Sequence, residues 1–376
     1  MGSNMTTFAV VLREKDTAGA LGVSLAFAAM MVPNIVFAPL AGLLADKYST
    51  RNLVPPMLLL MSLSTVSIAF TPFWWAPIAL FITASAGVVV GAGYQSMLPA
   101  VANNDDLARV NGMGQTYVSV GSLAGPAVAG LLVGATGYFW PFIIDFVSFI
   151  VLAVTFRYVG LTRKPVIHVD GPKLKAMDGV RELFKDPFLR AIVIMITVIV
   201  AALGIVNVGE VFLITVELKA SAFIYGVVGS LFAAGSLIGA FVVSKLKLSK
   251  RQESFAAVFS PALLVLSVIG LSLAPHWGWA MVTTFIAGLG NASINSYGMA
   301  LIMERAKEET RGRILAAFGA MVTTGGISSL AMGGILIGMF GVRQVLFAGA
   351  VISGIVLIAL GPGVLRRALH PERYVD

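Results

Sequence analysis

Apolar residues gather into eleven stretches of about 18 to 28 positions, with polar residues confined mostly to short turns between them. Each stretch is long enough to cross a hydrocarbon core of about 30 Å as a helix. The pattern predicts spans at Gly19–Leu44, Leu53–Phe70, Ala76–Leu98, Asn111–Gly134, Tyr138–Tyr158, Phe188–Thr215, Ala222–Ser244, Ser254–Ala274, Trp279–Met303, Ile314–Met339 and Arg343–Leu365. A further apolar segment, Met1–Leu12, is too short to span and ends at the polar turn Arg13–Asp16.

One connection departs from this rhythm. Gly160–Pro187 is a polar linker carrying Lys173, Lys175, Arg181 and Lys185, with a surface helix expected inside it. It divides the chain into a helical half at 1–159, the linker at 160–187, and a second helical half at 188–376. A shift of 204 residues lays the halves on each other: Phe8 falls on Phe212, Lys15 on Lys219, Gly22 on Gly226, Arg109 on Arg313, Gly121 on Gly325, Gly130 on Gly334, Gly134 on Gly338 and Gly137 on Gly341. A single register for early and late pairs implies an all-α polytopic membrane protein of two parallel six-helix repeats, the plan of transporters that rock around a site between bundles. In that register the partner of the span opening at Phe188 would begin upstream of Met1, so helix 1 is expected to be truncated at its N-terminus.

Composition then removes function classes. Hydrophobic residues make up 58% and charged residues 12% of the chain, against about 25% charged in soluble domains, which excludes a soluble enzyme. With no Cys there is no disulfide, thiol nucleophile or Cys-based metal site, and His168, His276 and His370 are too scattered for a ligand set. No phosphate-cradling loop, nucleophile triad or pair of catalytic carboxylates is visible, so the expectation is neither an enzyme nor a holder of metal or cofactor.

The net charge of +8 is spread over short loops, and 22 of the 26 Lys and Arg fall on one alternate set of them. Cationic loops resist translocation, which places that set and the C-terminus in the cytoplasm of a multi-pass protein of the plasma or inner membrane. Trp74, Trp75, Trp140, Trp277 and Trp279 then lie at the outer ends of spans, where an amphipathic ring suits the headgroup level. The expected partners are the lipid bilayer and a small-molecule substrate, with no nucleic acid, for a chain expected to act as a monomer.

Two motifs carry more specific information. After the second helix stands Gly42-Leu-Leu-Ala-Asp46-Lys47-Tyr-Ser-Thr-Arg51, which resembles the signature G-x-x-x-D-[RK]-x-G-[RK]-[RK] of the major facilitator superfamily, with Ser49 and Thr50 departing from it. The resemblance implies a gating loop of Gly42, Asp46, Lys47 and Arg51, with Asp46 expected to face the start of helix 11 near Arg313, and with Arg109 as the repeat mate of that cation. Helix 5 carries Gly112, Gly121, Gly125-Pro126 and Ala129-Gly130, similar to the antiporter motif of facilitator-type drug exporters with Ala129 in place of a Gly. Small residues four apart permit close helix contact, and Pro126 withdraws a backbone donor where a hinge is expected.

The segments Leu98-Pro99 to Phe149 and Glu309-Thr-Arg-Gly-Arg313 resemble the branch of that superfamily containing enterobactin exporters and macrolide efflux proteins. This resemblance implies secondary active export of small amphipathic molecules, drug or siderophore-like, in exchange for protons and driven by the proton gradient alone. A nutrient importer or facilitator on the same fold and a non-transporting membrane sensor are the alternatives.

Two acids interrupt apolar sequence, Asp145 in helix 6 and Glu210 in helix 7. A carboxylate at mid-membrane costs roughly 2.5–3.5 kcal/mol, so such residues face a cavity or a partner and mark ion pathways. They are the candidate proton-coupling groups, although Asp145, about 7 Å below Trp140, also suits an interface-reaching or hydrogen-bonded structural acid. Ala76–Leu98 contains no cation, so the Arg that many proton-coupled exporters of this superfamily carry in helix 4 has no counterpart. Candidate substrate contacts are the polar groups Tyr94, Gln95, Tyr117, Asn207, Asn291 and Asn295, set among many Phe and Met that suit greasy ligands. Asn and Gln equally serve as hydrogen-bonding glue between helices.

Overall fold

A computed structural model describes residues 1–101, 104–159, 176–246, 248–306 and 310–369. The greater part of the expected linker, with Lys173 and Lys175, lies outside the described residues, as do His168, Glu309 and His370. Every regular element among the described residues is helical. Ten of those helices are long and apolar enough to cross a membrane, and the chain is a multi-pass membrane protein of two six-helix repeats.

The elements fall into two compact units, Met1–Gly171 with Ser221–Ser230, and Pro172–Ala220 with Leu231–Asp376. The first holds α1 (Gly2–Val36), α2 (Ala38–Lys47), α3 (Thr50–Phe70), α4 (Ala76–Val101), α5 (Asn104–Thr136) and α6 (Phe139–Val159). Here α3 packs on α4 and α6, and α1 packs on α4, α5 and α6. Their meeting point is an apolar core in which Ala9, Val10, Ala26, Ile68, Ala79 and Phe142 are buried. A second cluster, with Leu58, Met61, Ala86 and Phe149, continues the α3–α4–α6 seam.

The second unit holds α7 (Ala176–Lys185), α8 (Pro187–Leu203), α9 (Val206–Phe212), most of α10 (Ala222–Lys245), α11 (Lys250–Ser272), α12 (Trp277–Ser293), α13 (Met299–Arg305), α14 (Arg311–Phe340) and α15 (Val342–Leu369). Its packing repeats the first: α11 lies on α12 and α15, and α8 lies on α14 and α15. Asp186 starts α8 as its N-cap, accepting from the Phe188 and Leu189 amides at 2.7 and 3.2 Å, with Pro187 preset in the first turn. Ser249 and Gln252 start α11 with a reciprocal capping box.

Repeat-related positions also share local chemistry. Gly137 and Gly341, one shift apart, close α5 and α14 with matching positive φ, +79° and +82°, which glycine adopts without strain. The indole N–H groups of Trp75 and Trp279, also one shift apart, donate to the last turn of the preceding helix, at Ser67 Oγ (2.8 Å) and the Gly270 carbonyl (2.9 Å). Carbonyls one shift apart, of Ile68 and Ser272, each receive an arginine: Arg13 from α1 in the first unit, Arg343 from α15 in the second. Arg13 also donates to the Thr71 carbonyl, whereas Arg343 is steered by an ion pair with Glu217, which occupies the place of Arg13 in the register.

Several boundaries differ from the hydropathy reading. No turn occurs at Arg13–Asp16; helix persists to Gly19, whose φ of 64° and ψ of −153° reverse the chain. Thr7 Oγ1 lies 3.8 Å from Met30 Sδ, whereas a straight helix would hold them roughly 35 Å apart, so α1 is a hairpin of two antiparallel limbs. The predicted span Gly19–Leu44 is interrupted at Phe37, between α1 and α2. The predicted span Phe188–Thr215 breaks at Gly204–Ile205 and ends in a π-helical turn, Leu213–Glu217. The span Trp279–Met303 contains a second π-helical turn, Ile294–Gly298. Hydropathy registers apolar length and is blind to such changes in backbone winding.

Candidate functional site

The first unit buries Asp145 on α6 at 1% exposure. Thr6 Oγ1, from the first limb of α1, donates to Asp145 Oδ2 at 2.7 Å, and Ser148 Oγ lies 3.3 Å from Oδ1. Close approach of α1 depends on Gly2, because a Cβ there would fall onto Asp145 Oδ1. The acid is therefore a hydrogen-bonded group clamped between α1 and α6, and burial this complete excludes a carboxyl reaching the interface.

In the second unit Glu210 on α9 is half-buried, and Thr284 Oγ1 from α12 donates to its Oε1 at 3.2 Å. The 204-residue register relates the two acids in an unexpected way. It lays Thr6 on Glu210 and Asp145 on Gly349, and Gly349 packs so tightly that a Cβ would stand 2.6 Å from the Ala202 carbonyl oxygen. The acid of one unit thus occupies the position of a hydroxyl donor in the other.

The antiporter-type helix uses its small residues unequally. Gly121 and Gly125 receive the start of the chain, a Cβ at each standing 2.8 Å from Met1 N and from Asn4 Cβ respectively. Gly130 and Pro126 receive the first turns of α10, where Gly130 faces the Ala222 carbonyl and the Pro126 carbonyl faces Gly226. Beside that contact the Ala127 amide donates to Ser230 Oγ at 3.2 Å, just where Pro126 interrupts the helical ladder. Phe8 inserts against Gly229 and meets the Tyr225 ring at 5.0 Å between centroids. Gly112, by contrast, meets open space.

In the gating loop Asp46 is half-buried on α2, while Gly42, Lys47 and Arg51 are exposed. A Cβ at Gly42 would find nothing within 4 Å, so its smallness serves no close helix contact in this conformation. Arg109 is exposed and Arg313 half-buried.

Among the candidate substrate contacts, Tyr94, Gln95 and Tyr117 are exposed in the first unit, with the Tyr94 hydroxyl close enough to α5 that a Cβ at Gly114 would be 3.4 Å away. In the second unit Asn207 donates to the Gly204 carbonyl at 3.0 Å, where helix 7 is interrupted, and Asn295 donates to the Asn291 carbonyl at 2.9 Å beside the π-helical turn. Both amides bond backbone carbonyls at interruptions of helical winding.

Reading the residues alone missed Thr6 and Thr284, because a hydroxyl in a membrane helix normally bonds its own preceding turn, as Thr215 does to the Val211 carbonyl, and Ser230, which does bond its own turn and also accepts from the Ala127 amide. It missed the Arg13 and Arg343 clamps as well, although their shared target carbonyls lie in the 204-residue register.

A family model described as Major Facilitator Superfamily matches residues 1–246 and again 204–374. The tetracycline resistance protein, class C, of Escherichia coli is 31% identical over 137 residues, 35% of this chain and only 33% of that protein's length. The multi-drug resistance efflux pump PmrA of Streptococcus pneumoniae is 24% identical over 337 residues, covering 86% of this chain and 81% of its own. Among solved structures, the nucleoside transporter NupG superposes with a TM-score of 0.76 at 14% identity, over 96% of this chain and 97% of that one.

Proposed function

The chain belongs to the major facilitator superfamily of transporters, and on that footing we propose that it exports small amphipathic molecules, drug or siderophore-like, by alternating access in exchange for protons. The observation that carries this reading is the pair of acids inside membrane helices, Asp145 and Glu210, each held by a single threonine hydroxyl from another helix. Intramembrane carboxyls so placed mark ion pathways. A hydroxyl is a neutral donor that suits either charge state of the acid, so protonation and release leave the packing intact. Two relatives named for tetracycline resistance and multidrug efflux support the direction and the breadth of cargo.

In this reading Asp145 and Glu210 are the proton carriers, and Tyr94, Gln95, Tyr117, Asn207, Asn291 and Asn295 contact cargo in otherwise apolar surroundings. The Lys- and Arg-rich loops and the C-terminus face the cytoplasm, and the protein works as a monomer without cofactor. The test is proton release from everted vesicles on adding a panel of lipophilic drugs and siderophores. Compound-evoked release that Asp145→Asn or Glu210→Gln abolishes is the expected result. Labelled compound that equilibrates while no compound moves protons would replace this reading with a facilitator.

A further inference from the structure

Glu14 lies on the first limb of α1, close to the reversal at Gly19, and is 1% exposed. Its Oε1 has no hydrogen-bond partner among the described residues. Its Oε2 tucks over Gly22 of the opposite limb, where a Cβ would stand only 2.9 Å away. The side chain is therefore folded into the hairpin, closed over by the limb that returns from Gly19.

The surrounding charges are engaged elsewhere. Arg13, whose charge reaches Glu14, spends its guanidinium hydrogen bonds on the Ile68 and Thr71 carbonyls at the end of α3. Lys15 pairs with Asp16 at 2.6 Å, and Asp16 also accepts from the Tyr138 hydroxyl at the head of α6. That bond commits the Tyr138 hydroxyl to Asp16. Neither the short turn Phe73–Trp75 nor α4 contributes any Asp, Glu, Lys or Arg, the α5 segment Gly112–Thr136 has none, and the nearest acid on α6 is Asp145, already bonded to Thr6. A carboxylate at Glu14 would hold a full charge with one oxygen meeting neither water nor donor, whereas a neutral carboxyl avoids most of that cost.

We propose that Glu14 is a third proton-binding carboxyl of this transporter, protonated while the α1 hairpin is closed and discharged when the turn at Gly19 opens to water. This adds a carrier to the proton exchange proposed above and rests on that reading. The ligand is the proton alone, and the bond made and broken is O–H on the Glu14 carboxyl, with water at the opened turn as acceptor.

The experiment records infrared spectra of the purified protein in lipid at neutral pH, for the natural sequence and for Glu14→Gln and Glu14→Ala, alongside the pH profile of export in vesicles. Expected is the loss of one protonated carboxyl band in both variants, with a displaced pH profile in Glu14→Gln. An unchanged band in folded Glu14→Gln would show an ionised side chain and overturn the proposal. Loss of the band with an unchanged export profile would overturn the carrier role. If the natural protein moves no protons with any compound while the band is still lost, the exporter reading fails and the proton site stands.

Discussion

Thr6 and Thr284 each direct a hydroxyl to an acid on another helix instead of to their own preceding turn. Replacing either by Val keeps the shape and removes the donor, leaving a carboxyl oxygen unmatched, and at Asp145 a buried one. Thr6→Val is expected to lower stability by about 1–3 kcal/mol, and Thr6→Ser to restore it, read as the unfolding midpoint in detergent. The acids themselves stood out in the sequence because a carboxyl is an anomaly in an apolar run. Their donors did not, since a threonine in such a run is ordinary and its partner is chosen by packing. Gly42 shows the converse: its place in a motif was legible, but the open space around it was not.

At the scale of the element, hydropathy located the spans closely, because a hydrocarbon slab demands long apolar helices whatever their sequence detail. It could not place the hairpin reversal at Gly19, the break at Gly204–Ile205 or the two π-helical turns, which depend on backbone winding and on amides such as Asn207 that steady it. The turns at Gly137 and Gly341 were visible as paired glycines, and their matched positive φ gives the pairing a physical cause. Substituting Ala at either forces an L-residue to a positive φ, at about 1–3 kcal/mol. Gly137→Ala and Gly341→Ala should therefore both lower the thermal midpoint, while Gly112→Ala, with open space about it, should leave it unmoved.

Over the whole molecule, the repeat register was the most informative feature of the sequence, since it gave the number of helices and the plan of both units. The compact unit built on the first half also takes in Ser221–Ser230 from α10, an assignment no linker or composition shift announces. Seating of that segment on α5 depends on Gly226, where a Cβ would strike the Pro126 carbonyl. Gly226→Val should reduce export in vesicles roughly tenfold at unchanged protein level, since overpacking costs about 1–3 kcal/mol. Unchanged export in that variant would show that the segment need not seat there.

The unequal placing of the two acids, Asp145 against Gly349 and Glu210 against Thr6, bears on how such a chain could arise and be rebuilt. Two copies of the first half, joined head to tail, would carry the Asp145 site twice and the Glu210 site not at all. Two copies of the second would do the reverse. The duplicated halves have diverged into complementary parts, and covalent fusion guarantees that every molecule holds one of each.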